Sequence, residues 1–272
     1  MNMAPSPRVR IMGIVNATPN SFADSGNFLT LDARLAQAEQ LIAEGADILD
    51  IGGESTRPGA DPVPLDEELR RVIPLIKAIR QKSAIPISID TYKAETARQA
   101  LAAGAAIIND ISALRYDTEM AGLVAESGAP IILTHMQGSP KTMQDKPEYE
   151  NVVREVADFF REKIAALTSL GVPKEKTILD PGIGFGKTRS HNLSLLKHLD
   201  VFAELGCPLL LAHSRKRFLG GLTGTTDPRE RDLPTAVVAA LVAAKGISMV
   251  RVHNVAATRQ ALIVAEAIAT AK

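Results

Sequence analysis

Short apolar runs that close in polar residues recur along the chain, each after a segment whose apolar positions repeat at helical spacing. EGADILDIGG from Glu44, AGAAIINDIS from Ala103, SGAPIILTHM from Ser127, LGCPLLLAHS from Leu205 and KGISMVRVHN from Lys245 are five copies of one pattern. In each a glycine (Gly45, Gly104, Gly128, Gly206 or Gly246) follows the helical segment, where the left-handed backbone past a helix end favours it. LGVPKEKTILDPG from Leu170 repeats the unit with a longer connection. Runs of four or five apolar residues without alternation suit strands covered on both faces of a parallel sheet.

The pattern predicts strands at 10–15, 48–51, 87–90, 107–110, 131–134, 177–180, 209–212 and 250–253. Helices are predicted at 31–44, 66–81, 94–103, 118–126, 151–170, 192–205, 235–245 and 256–271, with Pro74 a point of kinking or early termination in the second. Strict alternation implies right-handed βαβ crossovers. Eight units favour closure into a TIM-type (β/α)8 barrel over an open doubly wound sheet, and 272 residues fit the roughly 250 such a barrel needs. No linker or compositional shift divides the chain, so a single α/β domain over 1–272, with an N-terminal tail at 1–8, is the expected organisation.

Composition narrows the function classes. Lys plus Arg balances Asp plus Glu at 31 each, which gives no reason to expect nucleic acid or an acidic membrane as partner. There is no 18-residue apolar run to span a bilayer, and residues 1–10, broken by Pro5 and Pro7, do not read as a signal peptide. The one cysteine, Cys207, permits no intramolecular disulfide and fits a reducing cytoplasm.

In this fold the chemistry collects at the C-terminal ends of the strands. Those ends carry Asn16, Glu54–Arg57, Asp90, Asn109 with Asp110, His135, Asp180, Ser214 to Lys216, and Arg251 to His253. The set divides by charge: Asp90, Asn109 and Asp180 offer acceptors, whereas Lys216, Arg251 and His253 offer cations. A flat polar heterocycle bearing phosphate or diphosphate fits that division. DPGIGFGKT resembles a phosphate loop, but Pro181 and Lys187 stand where the two glycine patterns require glycine. A multi-histidine hydrolase centre built on His135, His213 and His253 lacks the paired histidines expected after the first strand. His135 reads as a core or supporting residue, and His191 and His198 as surface residues.

MGIVNATPNSF from Met12, GGESTRPGA from Gly52, SIDTYK from Ser88, NDIS from Asn109, LDPGIGFGKT from Leu179, SRKRFLG from Ser214 and RVHNV from Arg251 resemble, in order, the motifs of dihydropteroate synthases. The resemblance implies condensation of 6-hydroxymethyl-7,8-dihydropterin diphosphate with p-aminobenzoate, through loss of diphosphate to a pterin cation and attack by the aniline. It implies Asp90, Asp180, Lys216, Arg251 and His253 as catalytic residues. Asp90, Asn109, Ile111, Asp180, Phe185 and Lys216 would bind the pterin, and Asn16, Arg57, Arg251 and His253 the diphosphate. Mg²⁺ is the implied cofactor, with Asn16 as its ligand. The p-aminobenzoate slot would comprise Phe22, Thr56, Pro58, Phe185, Lys216 and Arg217, with Asp24 and Arg57 closing the loops. Sulfonamides would compete for that slot, and the uninterrupted loop around Phe185 implies sensitivity to them. A homodimer through the late helices is the implied assembly. Asn20, Arg217 and Asn254 depart from frequent family residues. A pterin-dependent methyltransferase domain and a non-catalytic pterin-binding paralogue are the alternative functions.

Overall fold

A computed structural model describes residues 8–18, 30–55 and 59–271. They form eight parallel strands, β1 (Arg10–Asn16), β2 (Ile48–Gly52), β3 (Ile87–Asp90), β4 (Ile107–Asp110), β5 (Ile131–Thr134), β6 (Thr177–Asp180), β7 (Leu210–Leu211) and β8 (Met249–Val252). Each strand pairs with its neighbour in sequence from β1 to β6, while β8 lies between β1 and β7. The ring closes at β6 and β7 through a single bridge, Leu179 to Leu209. The (β/α)8 barrel inferred from the repeat is therefore the fold.

The helices are α1 (Leu31–Ala43), α2 (Leu65–Lys82), α3 (Ala94–Ala103), α4 (Met120–Ser127), α5 (Val152–Ser169), α6 (Arg189–Lys197), α7 (Leu199–Ala203), α8 (Arg217–Thr223), α9 (Asp232–Val242) and α10 (Val255–Thr270). All five repeat glycines have positive φ, from 64° at Gly128 to 113° at Gly104. α2 runs unbroken through Pro74, which lies on its exposed face, where the carbonyl released by the missing N–H faces water. The segment predicted as one helix over 192–205 is two, α6 and α7. They part at His198, which leaves helical geometry (φ −115°, ψ 39°) and bonds the Ser194 carbonyl through its ring Nδ1 at 2.9 Å. α8 follows β7 directly.

Alternation along the strands builds the interior in layers. Met12, Ile48, Ile107, Ile132, Ile178, Leu210 and Met249 form an apolar floor inside the barrel. Two residues further along, the same inward faces present Ile14, Asp50, Asn109, Thr134, Asp180, Ala212 and Arg251. The outward residues, among them Leu49, Ile51, Ile89, Leu133 and Val250, pack under the helices as the larger core. Closely packed side chains thus seal the barrel from below, and polar groups face its C-terminal mouth. No helix among the described residues is long and apolar enough to cross a membrane.

Candidate active site at the barrel mouth

Three adjacent strands supply the acidic wall. Asp50 on β2 and Asp90 on β3 are buried, and Asp90 is level with Asn109 on β4. The Arg251 guanidinium reaches over β1 from β8 to join the two carboxylates. Its Nε donates to Asp50 Oδ2 and its Nη2 to Asp90 Oδ2, both at 2.6 Å. Asn109 Nδ2 donates to the same Asp50 oxygen at 3.2 Å. The division into an acidic and a cationic sector is therefore corrected at this point. Two carboxylates sealed from water require a counter-charge, and the inward faces of the intervening β1 supply only Met12 and Ile14 there.

Burial lifts the Asp90 carboxyl to about 7, helped by repulsion from Asp50, Glu68 and Asp110 and opposed by Arg251. Burial also works against the Arg251 charge, but Asp50 and Asp90 hold its pKa above the ordinary value. The two results are compatible, because one guanidinium serves two carboxylates. Asp50 Oδ1, Asp90 Oδ1 and Asn109 Oδ1 are buried acceptors with no hydrogen-bond partner among the described residues. Such a surplus matches a ligand edge made of N–H donors.

Asp180, at the end of β6, is also buried. It accepts the Gly182 N–H at 3.0 Å and the Thr134 hydroxyl at 3.4 Å. Burial raises its pKa, while the Gly182 N–H, Lys216, Lys187 and Arg251 pull it down. Phe185 is buried with Met136 and Met143, and the Lys216 ammonium stands 4.0 Å from the centroid of its ring. Ile111 is buried at the end of β4. Asp110, whose side chain alternates away from that of Asn109, ties the following turn by accepting from Ser112 and Leu114, each at 2.7 Å.

His253 closes the other side of the mouth. Its backbone N–H donates to Ser214 Oγ at 3.1 Å, and that hydroxyl lies 2.9 Å from its ring Nδ1. A hydroxyl with one proton and two lone pairs can accept the backbone N–H and still pair with Nδ1, so Ser214 fixes the orientation of the imidazole at the mouth. Asn254 caps α10 by accepting from Ala257 at 2.9 Å, and its amide donates to Asp232 at 3.1 Å. An aspartate there has no proton for that second bond, so the asparagine suits this neighbour. Asp232 also holds Arg215 through two bonds of 2.6 and 2.8 Å. Arg215 takes a left-handed φ of 58°, immediately before Lys216.

Asn16 ends β1 half-buried at the mouth. The buried Arg34 fixes its backbone by donating to the carbonyls of Asn16 and Thr18. No cluster of three or more His, Cys, Asp or Glu side chains suited to a metal occurs among the described residues. A single amide oxygen matches a Mg²⁺ ion held mainly by substrate oxygens and water. Glu54 accepts from the Val63 N–H, the Tyr92 hydroxyl and Lys93 at 3.0, 2.7 and 2.6 Å, clasping the base of the second loop.

Of the residues selected from sequence, Asn16, Asp90, Asn109, Ile111, Asp180, Phe185, Lys216, Arg251 and His253 belong to strand ends or turns at one rim. Arg217 begins α8 and is exposed. Asn20, Phe22, Asp24, Thr56, Arg57 and Pro58 lie outside the described residues. Asp50 was missed because for the second strand, predicted at 48–51, only Glu54–Arg57 beyond its end were taken as candidates. A carboxylate within ILDIG, two residues from an inward Ile48, was the available signal.

A sequence profile described as pterin binding enzyme matches residues 12–253. A dihydropteroate synthase from Synechocystis is 47% identical over 261 residues, 96% of this chain and 90% of that protein. The Yersinia pestis dihydropteroate synthase, solved in complex with a sulfonamide drug, superposes with a TM-score of 0.93 at 40% identity, covering 97% of this chain and 95% of that one. The Xanthomonas albilineans dihydropteroate synthase, solved with 7,8-dihydropteroate, gives 0.87 at 43% identity over 97% and 95% of the two chains.

Proposed function

The chain belongs to the dihydropteroate synthase family of pterin-binding enzymes, and from that premise we propose the reaction and the roles of its residues. The enzyme is a transferase that joins 6-hydroxymethyl-7,8-dihydropterin diphosphate to p-aminobenzoate, giving 7,8-dihydropteroate and diphosphate. The observation that carries the assignment of roles is the row of buried acceptors on Asp50, Asp90 and Asn109, with Asp180 further round the same mouth.

The amino-pyrimidinone edge of the pterin donates N–H groups to this wall, and Lys216 donates to ring acceptors above Phe185. The C–O bond to diphosphate breaks and its electron pair leaves with the diphosphate, so positive charge spreads through the pterin. Asp90 and Asp180 stabilise that charge, and Arg251 and His253 stabilise the departing one. A guanidinium has five N–H donors, and two of them hold carboxylates; the others serve diphosphate oxygens. The lone pair of the aniline then forms the C–N bond, and the resulting anilinium gives up one proton to water or the departing diphosphate. Asn16 would help hold a Mg²⁺ ion, which would supply further neutralisation of the charge on the leaving group when bound. Phe22, Thr56, Pro58, Phe185, Lys216 and Arg217 line the p-aminobenzoate slot in this reading, Phe185 and Lys216 being shared with the pterin, and Asp24 and Arg57 close the loops.

Cys207 is buried and unpaired, with its thiol pushed up to about 11 by burial, which suits the reducing cytoplasm we propose as its location. The homodimer is proposed from α9 and α10, which pack together and expose Leu233, Val237, Leu241, Ile263 and Ile268. Light scattering tests it: a twofold mass is expected, and a monomer at assay concentration refutes it.

Diphosphate release and dihydropteroate formation, followed together with Mg²⁺, test the function. Release coupled to product and abolished by Asp180→Ala or Lys216→Ala is expected. Tight pterin binding without turnover supports the binding paralogue instead.

A further inference from the structure

The glycine-rich segment after β6 matches no phosphate loop, and the proposed pocket uses only its Asp180 and Phe185. We propose that Lys187 is a positioning residue, whose buried ammonium fastens this segment to the end of β5 and thereby sets the Phe185 ring beneath Lys216. The inference rests on the reading of Phe185 as part of the substrate pocket.

Lys187 is 3% exposed. Its Nζ lies 2.9 Å from His135 Nδ1, 3.2 Å from the His135 carbonyl and 2.9 Å from the Phe185 carbonyl. Three acceptors meet the three protons of an ammonium, and none is a carboxylate. Burial lowers the Lys187 pKa to about 7, against the pull of Asp180, and a cation this deep is tolerated only when so matched. Its bond to Nδ1 requires a neutral imidazole, and burial with the Lys187 charge pushes His135 down to about 2. The contacts join the first residue after β5 to the residue that carries the aromatic ring.

The surrounding glycines permit this approach. A Cβ at Gly182 would lie 1.9 Å from the His135 carbonyl oxygen, and one at Gly186 would lie 2.6 Å from that of Gln137. The loop backbone therefore rests directly on the chain leaving β5. The Tyr149 hydroxyl donates to the Gly186 carbonyl at 2.9 Å, and Asn192 accepts from the Gly184 N–H at 2.8 Å, so the rim of the loop is also held. Lys187 is the tie from inside, and it pulls on the Phe185 backbone itself.

The test compares Lys187→Met, similar in length without donors, and Lys187→Gln, which keeps amide donors, with the parent and with Phe185→Leu. Melting temperature, kcat, both KM values and the methyl NMR shifts of Met136 and Met143, which pack on Phe185, are measured. Lys187→Met is expected to raise the KM for p-aminobenzoate about 10-fold, change that for the pterin diphosphate less than about 3-fold, and move both methyl signals. Lys187→Gln is expected to fall between it and the parent, and it reads the same split where the methionine variant does not fold. Unchanged KM values with unmoved methyl shifts, or a loss confined to kcat, overturn the proposal. A Phe185→Leu variant with both KM values unchanged refutes the pocket reading instead. A Phe185→Leu defect beside a silent Lys187→Met refutes this inference alone.

Discussion

Replacing Arg251 by methionine removes the one guanidinium that joins Asp50 to Asp90 and keeps much of the side-chain volume. Both carboxylates are buried and both bonds are 2.6 Å, so the loss is that of a broken buried pair, roughly 3–5 kcal/mol. With about 2–4 °C per kcal/mol for a chain near this size, the melting temperature falls by about 6–20 °C. The loss depends on pH. The Asp90 carboxyl is raised to about 7 from an ordinary 3.8, so the folded state holds its proton more tightly than the unfolded state. Its protonation therefore contributes stability that is complete below the ordinary value and is lost as pH rises through about 7. Arg251 pulls that value down, so its removal moves the transition higher. Each unit of further rise returns about 1.4 kcal/mol to the variant at low pH. Thermal melts at pH 5.5 and 8.5 read this directly. A large deficit at the higher pH that narrows at the lower is expected, and adding Asp90→Asn removes the narrowing. A deficit of equal size at both pH values would refute the electrostatic account.

Four further outcomes follow from the same geometry. Gly182→Ala places a Cβ 1.9 Å from the His135 carbonyl at a φ of 70°, and a loss of about 2–5 kcal/mol is expected in urea melts; an unchanged midpoint contradicts the packing described. Asn254→Ala removes the cap of α10 and costs about 1 kcal/mol, which a thermal melt resolves. Asp180→Asn keeps the volume but removes the carboxylate from the proposed pterin wall, so calorimetry is expected to show pterin binding weakened at least about 100-fold, as befits a buried charge partner. A sulfonamide is expected to compete with p-aminobenzoate, and inhibition that persists at saturating p-aminobenzoate counts against a shared slot.

The architecture was legible because period and punctuation agree. β3, β4, β5 and β6 begin and end where the apolar runs do, and Gly45, Gly104, Gly128, Gly206 and Gly246 mark turns that require positive φ. α6 and α7 were read as one helix because a side-chain bond from His198 to a carbonyl leaves no trace in hydrophobic spacing. Residues at strand ends could be selected from sequence because the fold dictates which side chains converge on one rim. Asp50 required a finer rule. In ILD, IIN, IIL-Thr134, ILD and MVR an apolar inward residue precedes a polar inward one by two positions, and that register identifies the second layer of the barrel. Pairings such as Arg251 with Asp50, 201 residues apart, depend on which strands meet when the ring closes. Lys187 was set aside with the phosphate-loop comparison because its three acceptors, His135 and the Phe185 carbonyl among them, become neighbours only in the folded barrel.

Ring order also governs how the site comes into being during synthesis. Strands β1 to β6 pair in the order in which they leave the ribosome, so the acidic wall of Asp50, Asp90, Asn109 and Asp180 can assemble as a curved sheet with two open edges. β8 then enters between β1 and β7, in register from Arg10 with Met249 to Gly13 with Val252. It brings Arg251 and His253 with it. For any chain that pairs its strands in that order, the carboxylates of the wall stay open to water until the strand that carries Arg251 is in place. The strand that completes the order between β1 and β7 is also the one that carries Arg251, and a chain halted before residue 249 has the acids of the site without the arginine that lets them be buried.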